Sequence, residues 1–226
     1  SGGHVTRVHG LGRNPKIILS KKTNASGDWF VNLDDTALPE IDEDRHYIIL
    51  NSTAVLDGPN GNIAPAVAPD NSAAITDTIY SIGGDLNESG QSYINYLWAE
   101  IPGYSKFGIF TGNGVGGGSS QPSGTVVRLG FKPALVILKR TTSDSGANWG
   151  MFDFRRLGYN KKVRDLRMNK NNSEGSDDDI ISLEAEGFRI TTTSSGFGGG
   201  NGITYIYMAW AENPGRLPFN MPPSSS

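Results

Sequence analysis

Cysteine is absent from the 226 residues, which excludes a disulfide framework, a thiolate zinc site and cysteine-based catalysis. Charge is scarce as well, since charged residues make up 19% and the net charge is −3. Without a basic surplus to neutralise phosphates, we expect no nucleic-acid partner. Apolar runs are only a few residues long, so we expect no membrane insertion.

Helical periodicity is also missing. No window of eleven or more residues without Gly or Pro places apolar side chains at helical spacing. Instead, short segments rich in β-branched and aromatic residues lie between Gly, Pro, Asn and Asp, which predicts strands. In the first half these segments are 16–20, 29–33, 46–50, 78–82 and 93–99. Many short strands without helices between them predict an all-β sandwich or barrel.

The strongest pattern is an internal repeat, in which four landmarks recur in the same order. Residues 11–22 match 129–140, 27–30 match 147–150, 50–51 match 168–169, and 92–100 match 204–212. The spacing between landmarks drifts, as expected for a duplication with loop insertions and deletions.

The repeat predicts a tandem pair of β-sandwich units of jelly-roll or lectin-like type. The first unit is 1–103 and the second is 104–215, with a Gly/Ser-rich linker at 111–124. Residues 216–226 are rich in Pro and Ser and are interpreted as a tail or linker, so we expect the chain to be a segment of a larger modular protein.

Four landmarks carry a family resemblance: the Leu-Gly-x-x-Pro start at 11–15, the Asp-Trp step at 28–29, the strand at 93–100, and 103–114. Together they resemble a repeated β-domain of tailed-bacteriophage virion structural proteins of the marine and cyanobacterial type. The resemblance implies a tail-associated, tail-fibre-like virion component, expressed in the bacterial host cytoplasm. It implies no catalytic residues, other virion proteins as partners, and a homo-oligomer, with a trimer favoured, in the full protein.

Tryptophan occupies two repeated positions. Trp98 and Trp210 lie on a repeated strand whose two faces are both mostly apolar, which predicts a central strand. Core packing explains both rings best, and stacking on sugars is the alternative. Trp29 and Trp149 follow a Gly/Asp/Asn turn, nearer a sheet edge. Shared packing explains the second pair best, while an exposed ring there could also stack on a sugar.

The candidate ligand-binding residues are Trp29 and Trp149 together with polar loop residues that can hydrogen-bond sugar hydroxyls, namely Asn60, Asp70, Asn172 and Asp178. No metal site is predicted, because the acidic clusters suit solvated loops and the histidines lack zinc-ligand spacing. The Gly-x-Gly-x-x-Gly match at 112–117 runs into Gly, Ser and Pro, so it cannot open a helix and no nucleotide cofactor is expected.

These observations favour a non-enzymatic structural or adhesive module, with tail-fibre-type host attachment and glycan binding as the leading function. One alternative is a capsid or tail decoration protein that binds only other virion proteins. A second alternative is a polysaccharide depolymerase, which would need two carboxylates at a suitable separation.

Overall fold

The computed structural model describes residues 5–33, 46–57, 75–116, 124–142, 147–156, 164–175 and 180–213. Within these ranges the regular structure consists of β-strands and one turn of 3-10 helix over Gly84–Leu86. The prediction of an all-β fold is therefore confirmed.

Among the described residues, six strands lie before residue 103 and eight lie after it. The first six are β1 (Val5–Val8), β2 (Pro15–Lys22), β3 (Trp29–Leu33), β4 (Tyr47–Ile49), β5 (Ile79–Ile82) and β6 (Tyr93–Ala99). The others are β7 (Ser105–Thr111), β8 (Val126–Arg128), β9 (Pro133–Arg140), β10 (Trp149–Asp153), β11 (Leu166–Arg167), β12 (Ile181–Glu184), β13 (Gly187–Ile190) and β14 (Thr204–Ala211).

The strands form four antiparallel sheets. The two larger sheets have the orders β4-β3-β2-β6 and β11-β10-β9-β14-β7, and the two smaller ones are β1-β5 and β12-β13-β8. We call the larger sheets the first inner sheet (β4-β3-β2-β6) and the second inner sheet (β11-β10-β9-β14-β7). Each inner sheet packs on a smaller outer sheet, and the two inner sheets pack on each other, which gives a layered β-sandwich.

Three apolar cores lie between the four layers. The outer cores are formed by the face of each inner sheet that meets its outer sheet, with Ile18, Tyr80 and Ile82 in the first and Val136, Phe152, Phe188 and Ile190 in the second. The middle core joins the inner sheets through Ile17, Val31, Ile48, Phe107, Ile137, Trp149, Ile206 and Met208. Neighbouring residues of one strand thus enter different cores, which explains why the inner strands are apolar on both faces.

The two inner sheets share strand order and register. Order β4-β3-β2-β6 corresponds to β11-β10-β9-β14, and the pair Lys21–Trp29 has its counterpart in Lys139–Trp149. Both sheets also show a register shift where the landmark proline pairs, opposite Ala99 in the first and Ala211 in the second. The two inner sheets thus pair their strands alike, and the duplication itself stays a prediction.

The repeated tryptophan strand differs between the two inner sheets. β14 lies between β9 and β7, as predicted, whereas β6 pairs only with β2 among the described strands. Among the described strands β6 therefore lies at the edge of its sheet and not in the predicted central position. The reason is that the chain turns after β6 at Gly103, with a φ of 72°, and β7 then pairs with β14 instead.

The Gly/Ser-rich tract begins as hydrogen-bonded structure. The backbone N–H of Gly112 donates to the Ile203 carbonyl at 2.9 Å, and that of Asn113 donates to Thr125 Oγ1 at 3.1 Å. A Cβ at Gly112 would lie 2.2 Å from the Gly200 carbonyl oxygen, so only glycine fits this approach. The start of the predicted Gly/Ser-rich linker is therefore hydrogen-bonded to its surroundings, and residues 117–123 lie outside the described residues.

Candidate functional site

Trp29 is a half-buried ring at the start of β3, surrounded by polar groups. Lys21 Nζ lies 5.8 Å from the centre of the Trp29 ring and donates a hydrogen bond to the Gly27 carbonyl at 2.5 Å. Asn51 fixes the turn, because its Oδ1 accepts from the Trp29 backbone N–H at 2.9 Å and its Nδ2 donates to Asp28 Oδ1 at 2.8 Å. Trp29 is thus held rigidly while part of its ring stays in solvent.

Trp149 makes the equivalent contacts but is 1% exposed. Lys139 Nζ lies 5.7 Å from its ring centre, and Asn169 Oδ1 accepts from its backbone N–H at 2.9 Å. In addition, Trp149 Nε1 donates to the Ile49 carbonyl at 3.0 Å across the middle core. The prediction of Trp149 as a ligand-binding residue is therefore wrong, because the first inner sheet covers the ring that would have to stack on a sugar.

A pocket of about 300 Å³ lies next to the β2–β3 turn, and we call it the end pocket. Its lining combines two aromatic rings with three carboxylates and one lysine: Phe30, Tyr93, Asp28, Asp85, Glu88 and Lys22, with Gly27 and Leu86 beside them. The pairing of β2 with β6 brings the 84–93 segment to this turn, since Lys22 lies opposite Tyr93. Asp28 belongs both to the end pocket and to the cluster around Trp29.

Electrostatics in the end pocket are dominated by one ion pair. Lys22 Nζ donates to Glu88 Oε1 at 2.7 Å and lies 5.8 Å from the Tyr93 ring centre. The hydrogen bond lowers the pKa of Glu88 and raises the pKa of Lys22, so both stay charged at neutral pH. Burial, followed by the Glu88 charge, raises the pKa of Tyr93, whose hydroxyl donates to the Asp85 carbonyl at 3.1 Å. The pocket therefore presents fixed charges of both signs beside aromatic rings.

A second cavity, of about 520 Å³, lies between the inner sheets. Its walls are entirely apolar or aromatic and include Trp98, Trp149, Trp210, Met151, Met208 and Tyr104. Trp98 and Trp210 meet edge to face with ring centres 6.2 Å apart. Both rings are half-buried members of the middle core, which agrees with the predicted packing role more than with a surface site.

A family model described as a domain of unknown function, DUF7483, matches residues 1–214. The chain belongs to this family. The match runs through both predicted repeat units as one stretch. No curated protein and no solved structure matches the chain significantly.

The remaining predicted ligand residues fall in loops. Asn172 is exposed and does not line the end pocket, whose residues all lie between 22 and 93. No described contact joins Asn172 to Trp29. Asn60, Asp70 and Asp178 lie outside the described residues. The described residues also contain no group of three His, Asp or Glu side chains that could hold a metal ion. In the part of the chain that is described, no helix is long and apolar enough to cross a membrane.

Sequence reasoning identified Trp29 but missed the rest of the end pocket. Asp85 and Glu88 form one of the acidic clusters that suit solvated loops, and Phe30 and Tyr93 belong to the predicted strands 29–33 and 93–99. The available signal was the repeated strand itself, because pairing β6 with β2 places the acidic segment before β6 next to the turn after β2. Residues Lys22 and Glu88 are far apart in the chain and meet only through that pairing.

Proposed function

We propose that the chain is a non-enzymatic adhesive module of a phage virion that binds host-surface glycan through the end pocket. The observation that carries this proposal is the convergence of Phe30, Tyr93 and three carboxylates in a concave site of about 300 Å³. Aromatic faces stack on the apolar faces of sugar rings, while fixed polar groups beside them set orientation. This combination suits a carbohydrate better than an apolar ligand.

Each polar group in the end pocket has a role in such binding. Carboxylate oxygens of Asp85 and Glu88 accept hydrogen bonds from sugar hydroxyls, and Lys22 donates. The Asn51–Asp28 hydrogen bond of 2.8 Å holds the Asp28 carboxylate in place before a ligand arrives. Trp29, next to Asp28 in the chain, extends the surface beyond the pocket and offers a second stacking face.

The virion setting is supported by the sequence resemblance alone. The resemblance implies a tail-fibre-like component of the virion, with other virion proteins as partners and a trimer in the full protein. Oligomeric display would strengthen weak single-site glycan binding by a factor on the order of 10²–10⁴. Attachment through many weak sites therefore fits a small, exposed pocket.

A glycan array probed with the chain and three variants tests the proposal. Asp85→Asn and Tyr93→Ala remove a pocket carboxylate and a pocket ring, and Asp77→Asn removes an exposed carboxylate outside the pocket. We expect each pocket variant to weaken glycan binding about tenfold, the cost of losing one charge-assisted hydrogen bond or one stacking face. Asp77→Asn should bind like the unaltered chain.

Other outcomes would change the assignment. Equal glycan binding by all four proteins would place the site elsewhere. Binding to virion proteins without any glycan binding would favour the decoration protein, and loss of polymer on incubation with the chain would favour the depolymerase.

A further inference from the structure

Among the described strands, none covers the edge of β6 where β7 covers the equivalent edge of β14. Ile94 and Tyr96 on β6 are 39% and 43% exposed, whereas their counterparts on β14, Ile206 and Met208, are 1% and 6% exposed. The difference arises because β7 pairs with β14 along its whole length and places Phe107 beside Met208. A long exposed strand edge with apolar side chains is an unusual feature of a folded protein.

The sequence after β14 repeats the sequence that leads into β7. Phe107 lies four residues after the segment Ala99-Glu100-Ile101-Pro102-Gly103, and Phe219 lies four residues after the matching segment Ala211-Glu212-Asn213-Pro214-Gly215. Ile109 has its counterpart in Met221, so the alternation of apolar positions is kept.

We propose that Arg216–Met221 docks along the open edge of β6 within the same chain, as β7 docks along β14. These six residues lie outside the described ranges, so the proposal comes from their sequence and from the surface of β6. The exchange is reciprocal: the strand that follows β6 joins the second inner sheet, and the segment that follows β14 joins the first.

The connection from the end of β14 to the docked segment is long enough to cross between the inner sheets. Residues 100–104 carry the chain from the end of β6 to β7, and the crossing is short, since Ser105 Oγ donates to the Ala99 carbonyl at 2.8 Å and the Ala211 N–H donates to the Tyr104 carbonyl at 2.8 Å. The matching residues 212–216 supply the same number of residues for the crossing in the opposite direction. Trp98 and Trp210 stand at this crossing with ring centres 6.2 Å apart.

The side chains fit the same register. Pairing like that of β7 with β14 places Phe219 opposite Tyr96 and Met221 opposite Ile94, which are the two exposed apolar residues of β6. In β7 the residue between these positions is Gly108, and a Cβ there would lie 2.9 Å from the Tyr207 hydroxyl oxygen. The counterpart of Tyr207 on β6 is Asn95, which is smaller and leaves room for Asn220.

Two further features define the docked state. Phe107 touches Trp210 with ring centres 5.5 Å apart, so Phe219 would adjoin Trp98, which lines the apolar cavity between the inner sheets. Pro218 has no backbone N–H, so the segment makes one hydrogen bond fewer than β7 can and is held less tightly.

Disulfide trapping in the full chain tests the docking, because the chain has no cysteine of its own. The variant Tyr96→Cys with Phe219→Cys should form an intramolecular disulfide under mild oxidation, since directly opposed residues bring their Cβ atoms to about 4.5–5.5 Å. The control Tyr96→Cys with Ser225→Cys should cross-link at least tenfold more slowly.

Cross-linking at equal rates in the two variants would overturn the proposal. A disulfide found only between two chains would replace docking within the chain by strand exchange between copies. Hydrogen exchange of the β6 amides gives an independent reading: Phe219→Asp should speed their exchange at least tenfold and Ser225→Asp should not. Identical exchange in the unaltered chain and in Phe219→Asp would also overturn it.

Discussion

Two lysines in equivalent positions differ in burial and therefore in chemistry. Lys21 and Lys139 each donate to a backbone carbonyl two residues before a tryptophan and lie against that tryptophan ring. Lys21 is half-exposed, whereas Lys139 is fully buried. Burial lowers the pKa of Lys139 from 10.5 to about 8, because the charged form loses its hydration.

This pKa predicts a pH dependence of stability. Between about pH 8 and pH 10 the unfolded chain holds a proton on Lys139 that the folded chain has released, so the free energy of unfolding should rise with pH. Over the whole range, the shifted pKa of Lys139 should raise the free energy of unfolding by an amount on the order of 3 kcal/mol. Urea unfolding across this range should show the rise, Lys139→Met should flatten it, and Lys21→Met is the matched control. A slope unchanged by Lys139→Met would contradict the assignment.

The indole N–H of Trp149 predicts a difference between the two repeated tryptophans. Trp149→Phe removes the indole donor to the Ile49 carbonyl, which keeps only a 3.4 Å hydrogen bond from the Ser52 N–H, and leaves part of the buried indole space empty, so the free energy of unfolding should fall by about 1–3 kcal/mol. Trp29→Phe, at the half-exposed position, should cost less than about 1 kcal/mol. Urea unfolding followed by circular dichroism compares the two, and equal losses would mean that burial does not distinguish them.

At the scale of elements, an asparagine fastens each β-hairpin of the inner sheets. Asn51 joins the start of β3 to the end of β4, and Asn169 joins the start of β10 to the end of β11. The two asparagine side chains differ in the group that accepts their second hydrogen bond, which is Asp28 Oδ1 for Asn51 and Asn148 Oδ1 for Asn169. The same side-chain type in the same place therefore sets the register of both hairpins.

Because both asparagines make equivalent hydrogen bonds, we expect their substitution to lower the free energy of unfolding in both cases. Asn169→Ala, where the asparagine is partly buried, should lower the free energy of unfolding by about 1–2 kcal/mol, and the exposed Asn51→Ala by less. In each variant, hydrogen exchange should quicken at the backbone amide of the adjacent tryptophan, Trp149 or Trp29. Unchanged protection of both amides would show that strand pairing alone holds the hairpins.

For the whole molecule, the middle core makes the two predicted units depend on each other. It draws Val31 and Ile48 from the first inner sheet and Ile137 and Met208 from the second. A backbone hydrogen bond from Leu56 N–H to the Thr141 carbonyl, at 3.2 Å, ties the two halves further. Neither inner sheet buries its middle-core face without the other.

We therefore expect one cooperative unfolding transition for the whole chain. Tryptophan fluorescence reports mainly on the middle core, and far-UV circular dichroism reports on all sheets, so their urea midpoints should coincide. Two separated midpoints would show that the halves fold as independent units.

Local features of the sequence were sufficient to predict five of the six described strands before residue 103, although not β1. Segments such as 29–33 and 93–99 appear as strands with the same bounds, because β-branched and aromatic residues between turn formers mark a strand locally. The end pocket could not be predicted in this way, because Lys22 and Glu88 come together only through the pairing of β2 with β6.

The sequence by itself determined the all-β class, the strand segments and the equivalence of Trp29 with Trp149, since composition, spacing and internal repetition are properties of the chain alone. Only the tertiary structure decided that Trp149 is buried while Trp29 is half-exposed, and that β7 pairs with β14 and not with β6. The physical reason is that burial depends on which surfaces meet. Two equivalent strands differ once β7 can pair with only one of them.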